Sequence, residues 1–158
     1  MRRWLPAVLL VVAGAAGCGG PAGAPDPASD PSPDPSPDAR VVGVLDGTEL
    51  RLEVADTLQE RATGLMGRAS VPAGTGMVFR FDQPSEGRFY MFQVPIPLRA
   101  TFIREGRVVS TVVMPPCPLD DPQACPTYGA DGPFDTVVET DPEHQPRPEP
   151  GDRFSLRS

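Results

Sequence analysis

Residues 41–55 read VVGVLDGTELRLEVA, and this stretch decides the fold class. Leu50, Leu52 and Val54 fall on one side of an extended chain and Glu49, Arg51 and Glu53 on the other, which is the period-two pattern of a half-buried strand. Asp46-Gly47 separates this run from the apolar 41–45. Both residue types tolerate positive φ, so the pair predicts a tight hairpin.

Working outward, Thr57 and Glu60 stand at capping-box spacing, and Leu58, Ala62 and Leu65 share one helical face. One short helix is expected there, ended by Gly64 or Gly67. Beyond it, 77–81, 88–92, 98–104, 107–114, 134–139 and 153–157 read as strands between Gly, Pro and Asp clusters, with Glu105-Gly106 as a second tight hairpin. Many short strands and one helix imply a mostly β, compact single-domain barrel or sandwich of roughly 110 residues, enough for one core.

The chain before this domain has a different character. The 158 residues include 22 prolines and 16 glycines, too many for uniform compact structure. Arg2 and Arg3 precede a 13-residue apolar run, 4–16, and then Gly17 and Cys18. A positive head, an apolar middle and small residues before a cut site make a secretory signal peptide, and the run is shorter than the roughly 20 residues a transmembrane helix needs. Small residues directly before a cysteine resemble the bacterial lipobox, although Ala15 stands where leucine is usual. That resemblance implies removal of residues 1–17 and acylation of Cys18, which becomes the new N-terminus. Two or three acyl chains make a stable anchor where one is marginal. The expectation is an exported protein, lipid-anchored to the cell membrane on its extracytoplasmic side, with ordinary secretion as the alternative.

Residues 18–39 then carry the lipidated Cys18 and a linker. From 19 to 39 there are seven prolines, aspartates at 26, 30, 34 and 38, and no large apolar residue. With nothing to bury, the linker is expected to be disordered. In polyproline II at about 3.1 Å per residue it would reach on the order of 60 Å. The β-rich domain takes 40–158.

Charge narrows the partners. The chain carries −7, and losing Arg2 and Arg3 with the leader takes the mature form to −9. Nucleic acid is not expected, because a phosphate-binding surface needs a clustered positive footprint. The expected partners are membrane lipid, through the acylated Cys18, and a small ligand or envelope protein.

Several blocks together resemble one family. They are RATGLMGR at 61–68, VPAGTGMVFRF at 71–81, RFYMFQVPIPLRATFI at 88–103, GRVV at 106–109, then MPPC and CPTY, with Gly151-Asp152 as a closing turn. In order and spacing they are similar to domain of unknown function 192. The resemblance implies a small, mostly β domain of bacteria and archaea, often exported, with no settled activity and no catalytic residues to carry over. Where the family commonly has Phe-Trp-Met-Lys-Asn-Thr, this chain has Phe89, Tyr90, Met91, Phe92, Gln93 and Val94, and Arg99 replaces an aspartate or small polar residue. The family's apolar stretch before the closing turn is here TDPEHQPRPEP, whose four prolines bar a helix.

Once Cys18 is acylated, Cys117 and Cys125 form an even pair in an oxidising compartment, and a disulfide is the default. Free or redox-active thiols and a metal site are the alternatives. The single histidine, His144, leaves tetrahedral zinc short of ligands.

No nucleophile–base pair or phosphate-cradling loop is visible, so no catalytic, metal or cofactor residues are assigned. The acids at 120–121 and Glu139 with Asp141 read as solvated loop carboxylates. Met66, Met77, Met91 and Met114 read as core rather than as a copper set. Arg61 and Arg68, near Tyr90 or Tyr128, are candidates for bidentate binding of a carboxylate or phosphate, with structural pairing to Glu60 or a backbone carbonyl as the alternative. Three readings stay open: a tethered module binding a small anionic or envelope ligand, a structural or protein-interaction domain, and a hydrolase or redox enzyme. A concavity on which Arg61 and Arg68 converge would favour the first.

Overall fold

The computed structural model describes residues 40–157. The leader, Cys18 and the linker through residue 39 lie outside the described residues.

Both tight hairpins form. β1 (Arg40–Leu45) and β2 (Thr48–Ala55) pair antiparallel through Asp46 and Gly47, at φ 47° and 74°. Glu105 and Gly106, at φ 51° and 72°, join β5 (Leu98–Arg104) to β6 (Arg107–Met114). Two consecutive left-handed residues match the twist of the flanking strands.

Residues 56–74 carry the chain from β2 to β3 (Thr75–Ser85), which pairs with β2 in parallel. Parallel pairing requires such a crossover, and it holds the expected helix α1 (Leu58–Thr63). The Thr57 hydroxyl accepts from the Glu60 N–H at 3.2 Å, and the Glu60 carboxylate accepts from the Thr57 N–H at 3.0 Å. These backbone bonds hold the Glu60 carboxyl below its ordinary value. Gly64, at φ 48°, ends the helix.

The expected strands shift at their edges. β3 runs longer than 77–81 and bulges between Arg80 and Ser85. β4 is only Phe89–Tyr90, because the chain turns at Gln93, whose φ is 56°. Its partner β7 (Thr127–Tyr128) follows a single 3-10 turn at Pro122–Ala124, and no sequence pattern announced either. β8 (Phe134–Thr140) and β9 (Phe154–Arg157) complete the set.

The main sheet runs β6-β5-β8-β3-β2-β1-β9. Its edges meet at one end: the Val108 N–H donates to the Asp152 carbonyl at 2.9 Å, the Gly151 N–H to Val108 at 2.8 Å, and the Phe154 N–H to Gly106 at 2.9 Å. The sheet therefore curls into a half-barrel, the barrel form of the expected class.

Central strands β3, β8 and β5 are buried on both faces, since successive side chains alternate. Val78, Val138 and Ile103 join Leu45, Leu50, Leu52 and Phe154 in one core. Met77, Phe79, Val137, Ala100 and Phe102 face the other way, into a second core with Leu65, Met91 and Phe134, which corrects the expectation of one core: a sheet covered on both faces buries two. In that second core Phe89 meets Phe79 and Phe102 at centroid separations of 5.2 and 5.7 Å, and Phe134 meets Phe102 at 5.0 Å. Such pairs contribute about 0.5–1.5 kcal/mol each beyond area burial. Met77, Met91 and Met114 belong to this core and Met66 packs against it, as the apolar reading of the methionines expected.

Candidate functional site

The second core is incompletely filled. A cavity of about 300 Å³ lies between the β3-β5-β8 face and a cover made by α1, residues 64–66 and residues 87–91. Phe79, Met91, Val94 and Leu98 give it apolar walls, and Leu58 stands at its edge 80 % exposed.

One wall residue is an acid. Glu139 stands on β8 in register with Met77 of β3 and Ala100 of β5, two positions along from Val137 and so on the same face. It is 5 % exposed and lines the cavity. Its carboxylate makes no hydrogen bond among the described residues. Burial disfavours the charged form and pushes the carboxyl up to about 8, so at neutral pH it is mostly protonated. This corrects the reading of Glu139 as a solvated loop acid: it belongs to a strand covered on both faces, whereas Asp120 and Asp121 are exposed and Asp141 is half-buried.

Arg61 lines the same cavity from α1. Its Nη1 donates to the Asp56 carbonyl and, at 2.9 Å, to the Arg80 carbonyl, and the guanidinium lies 5.0 Å from the centre of the Phe81 ring. The backbone-carbonyl alternative for Arg61 therefore holds, while Nε and Nη2 carry no hydrogen bond among the described residues. Arg88 also lines the cavity, donating from Nε to the Thr127 hydroxyl at 2.8 Å and from Nη2 to the Thr127 carbonyl at 2.7 Å. Tyr90 is a partly exposed wall residue.

Arg61 and Arg68 do not converge. Arg68 pairs with Glu53 and is not on the wall, because after Gly64 the chain turns back over β2. Tyr128 packs against the second core behind Phe89, its partner across β4 and β7. The cavity thus unites Arg61 and Tyr90 with Arg88, which sequence did not single out, and Glu139, which sequence read as a solvated loop acid. The only signal for Glu139 was its position two residues beyond Val137, on the same face of the strand.

Cys117 and Cys125 are bonded, with Cα atoms 5.7 Å apart, so the disulfide is the alternative the structure contains. It holds the segment leading into β7, which pairs with β4 and receives Arg88. The loop bridge therefore supports the cavity wall. Arg99 plays a similar part elsewhere: its guanidinium donates to the carbonyls of Pro142 and Pro146 at 2.8 and 3.0 Å, fastening the proline-rich 141–150 loop. His144 is exposed on that loop. No group of three or more His, Cys, Asp or Glu able to hold a metal occurs among the described residues.

The wall offers binding groups: a carboxyl, two guanidiniums and a phenol. Three comparisons bear on them. The model of a family described as an uncharacterised ACR, DUF192, matches residues 41–153. A crystal structure from Sinorhizobium meliloti 1021, described provisionally as a transcription regulator, superposes with TM-score 0.65 at 24 % identity, covering 75 % of this chain and 94 % of that one. A protein of unknown function from Novosphingobium aromaticivorans DSM 12444 superposes with TM-score 0.61 at 26 % identity, covering 81 % and 94 %. No curated protein matches the chain.

Proposed function

The chain belongs to the DUF192 family, and from that premise we propose that it is a small-ligand-binding module of the cell envelope, held on the extracytoplasmic side of a membrane through lipid on Cys18. The observation that supports binding is the cavity itself: about 300 Å³ with apolar walls and a buried acid facing it. A largely apolar pocket with a few polar groups is the usual form of a small-molecule site. The leader, Cys18 and the acidic, proline-rich linker support the address. A charge of −9 on the mature chain argues against nucleic acid as the partner. The alternative, a purely structural domain, gives no role to an apolar cavity carrying a buried acid.

The test is occupancy. The uncharged aryl probe N-phenyl-1-naphthylamine should bind the folded chain from residue 19 onward at one equivalent, with enhanced fluorescence. Ala62 is exposed on α1 at the cavity wall, so Ala62→Trp should block the probe while leaving the melting temperature in place. Failure of the native protein to bind the probe, or indifference of binding to Ala62→Trp, would remove the cavity from the account.

A further inference from the structure

The polar groups on the cavity wall differ in chemistry from its apolar remainder, and together they select a ligand class. Glu139 comes from the sheet, Arg61 from α1, and Arg88 and Tyr90 from the residues around β4, so they address the cavity from three elements. No other charged or titratable residue lines it among the described residues. Both arginines have guanidinium nitrogens to spare after their bonds to the Asp56, Arg80 and Thr127 oxygens. The phenol of Tyr90 is a further donor.

Resting on the small-ligand reading above, we infer that the cavity takes a small apolar monocarboxylate, an aryl or alkyl acid, whose carboxylate accepts a hydrogen bond from Glu139 and lies beside Arg61 and Arg88. Burial without a partner favours the protonated carboxyl at Glu139, which makes it a donor. With Glu139 neutral, the wall carries two positive charges and no negative one. An ammonium would meet both guanidiniums with no anion in place to receive it. A neutral alcohol would use the donors but not the charge. A carboxylate uses both, since charge-assisted hydrogen bonds are the stronger kind.

Ionisation of Glu139 sets the pH dependence. Above about 8 the free protein loses this proton, the donor is gone, and two carboxylates would face each other. Carboxylate affinity is therefore highest below that pH and falls above it, and binding at pH 8 takes up a proton.

The experiment is calorimetric titration of the chain from residue 19 onward with three isosteres: 3-phenylpropanoate, 3-phenylpropan-1-ol and 3-phenylpropylamine. Each is measured at pH 6.5, 8 and 9 in buffers of different ionisation enthalpy. The carboxylate should bind at least tenfold tighter than the alcohol at pH 6.5, weaken at least fivefold by pH 9, and take up a proton at pH 8. Glu139→Gln keeps a neutral donor, so it should retain carboxylate binding and flatten the pH profile. Should that variant misfold, Arg88→Gln at the wall should weaken the carboxylate at least fivefold more than it weakens the alcohol. Tighter binding of the amine, with proton release, would make Glu139 a counter-anion and overturn this class while leaving the cavity reading intact. Equal binding of alcohol and carboxylate would also overturn it. If neither the uncharged aryl probe nor any isostere binds, both readings fall.

Discussion

A Cβ built on Gly76 of β3 would lie 2.2 Å from the carbonyl oxygen of Glu139 on β8. Backbone meets backbone there, with the Thr140 methyl also at 3.1 Å, so no side-chain rotation can relieve the contact. Gly76→Ala must push β3 and β8 apart where Glu139 enters the cavity. We expect a loss of about 1–3 kcal/mol, as for overpacking elsewhere. Urea denaturation should show it, and ligand affinity should fall with it. Unchanged stability would mean that the two strands are not this close.

Glu139 should also leave a mark on stability. Its folded carboxyl is raised to about 8 from an ordinary 4.5, so between these values the native state holds a proton that the unfolded state has released. By linkage, stability then falls as pH rises, by about 1.4 kcal/mol per pH unit, and levels off above 8. Below 4.5 this loss is absent. Glu139→Gln should abolish the slope, so the wild-type and variant stability curves should diverge steadily from pH 5 to 8. Parallel curves would contradict a buried, unpaired acid.

For the disulfide, intact mass without reductant should be lighter by two hydrogens than after reduction, and no thiol should react with maleimide. The closed loop is short, with Cys117 and Cys125 eight residues apart, so reduction should lower stability by roughly 2.5 kcal/mol without unfolding the domain. It should also loosen β7 and with it Arg88, weakening ligand binding by more than the melting shift alone would account for. Free labelling of both thiols in protein taken from the envelope would reject the bridge.

The anchor is tested at Cys18. Cys18→Ser should abolish palmitate incorporation and leave unprocessed precursor, whereas wild type should incorporate label and fractionate with membranes. An unlabelled, normally processed wild type would replace the lipoprotein reading with simple secretion.

The parts of this fold that sequence discloses are those built from neighbours in the chain. Asp46-Gly47 and Glu105-Gly106 turn because two adjacent residues accept positive φ, and Thr57 and Glu60 cap α1 across one turn. The family blocks carry the same information over 41–153. The cavity was not legible because its groups are distant in the chain. Glu139 and Arg61 come to line one cavity only through the β3-β8 pairing and the crossover that holds α1. A carboxylate at the end of a strand, two residues before Asp141, looks the same whether that strand is an edge or the centre of the sheet. β8 is central, between β5 and β3, and the cover over that face completes the burial of Glu139. Arg68 misled for the opposite reason: it is close to Arg61 in sequence, but Gly64 and Gly67, both at positive φ, redirect the chain toward Glu53.

The central claim is that the space over Glu139 is a ligand site, and the methionine methyls report on it directly. Met66 and Met91 line the cavity, while Met114 is buried in the same core away from its wall. With ¹³C-methyl methionine in the chain from residue 19 onward, 3-phenylpropanoate should shift Met66 and Met91 through the ring current of the bound aryl group. Both shifts should saturate together and leave Met114 nearly in place. Methyl signals of Met66 and Met91 that stay put at millimolar ligand, or that move no more than Met114, would contradict the claim.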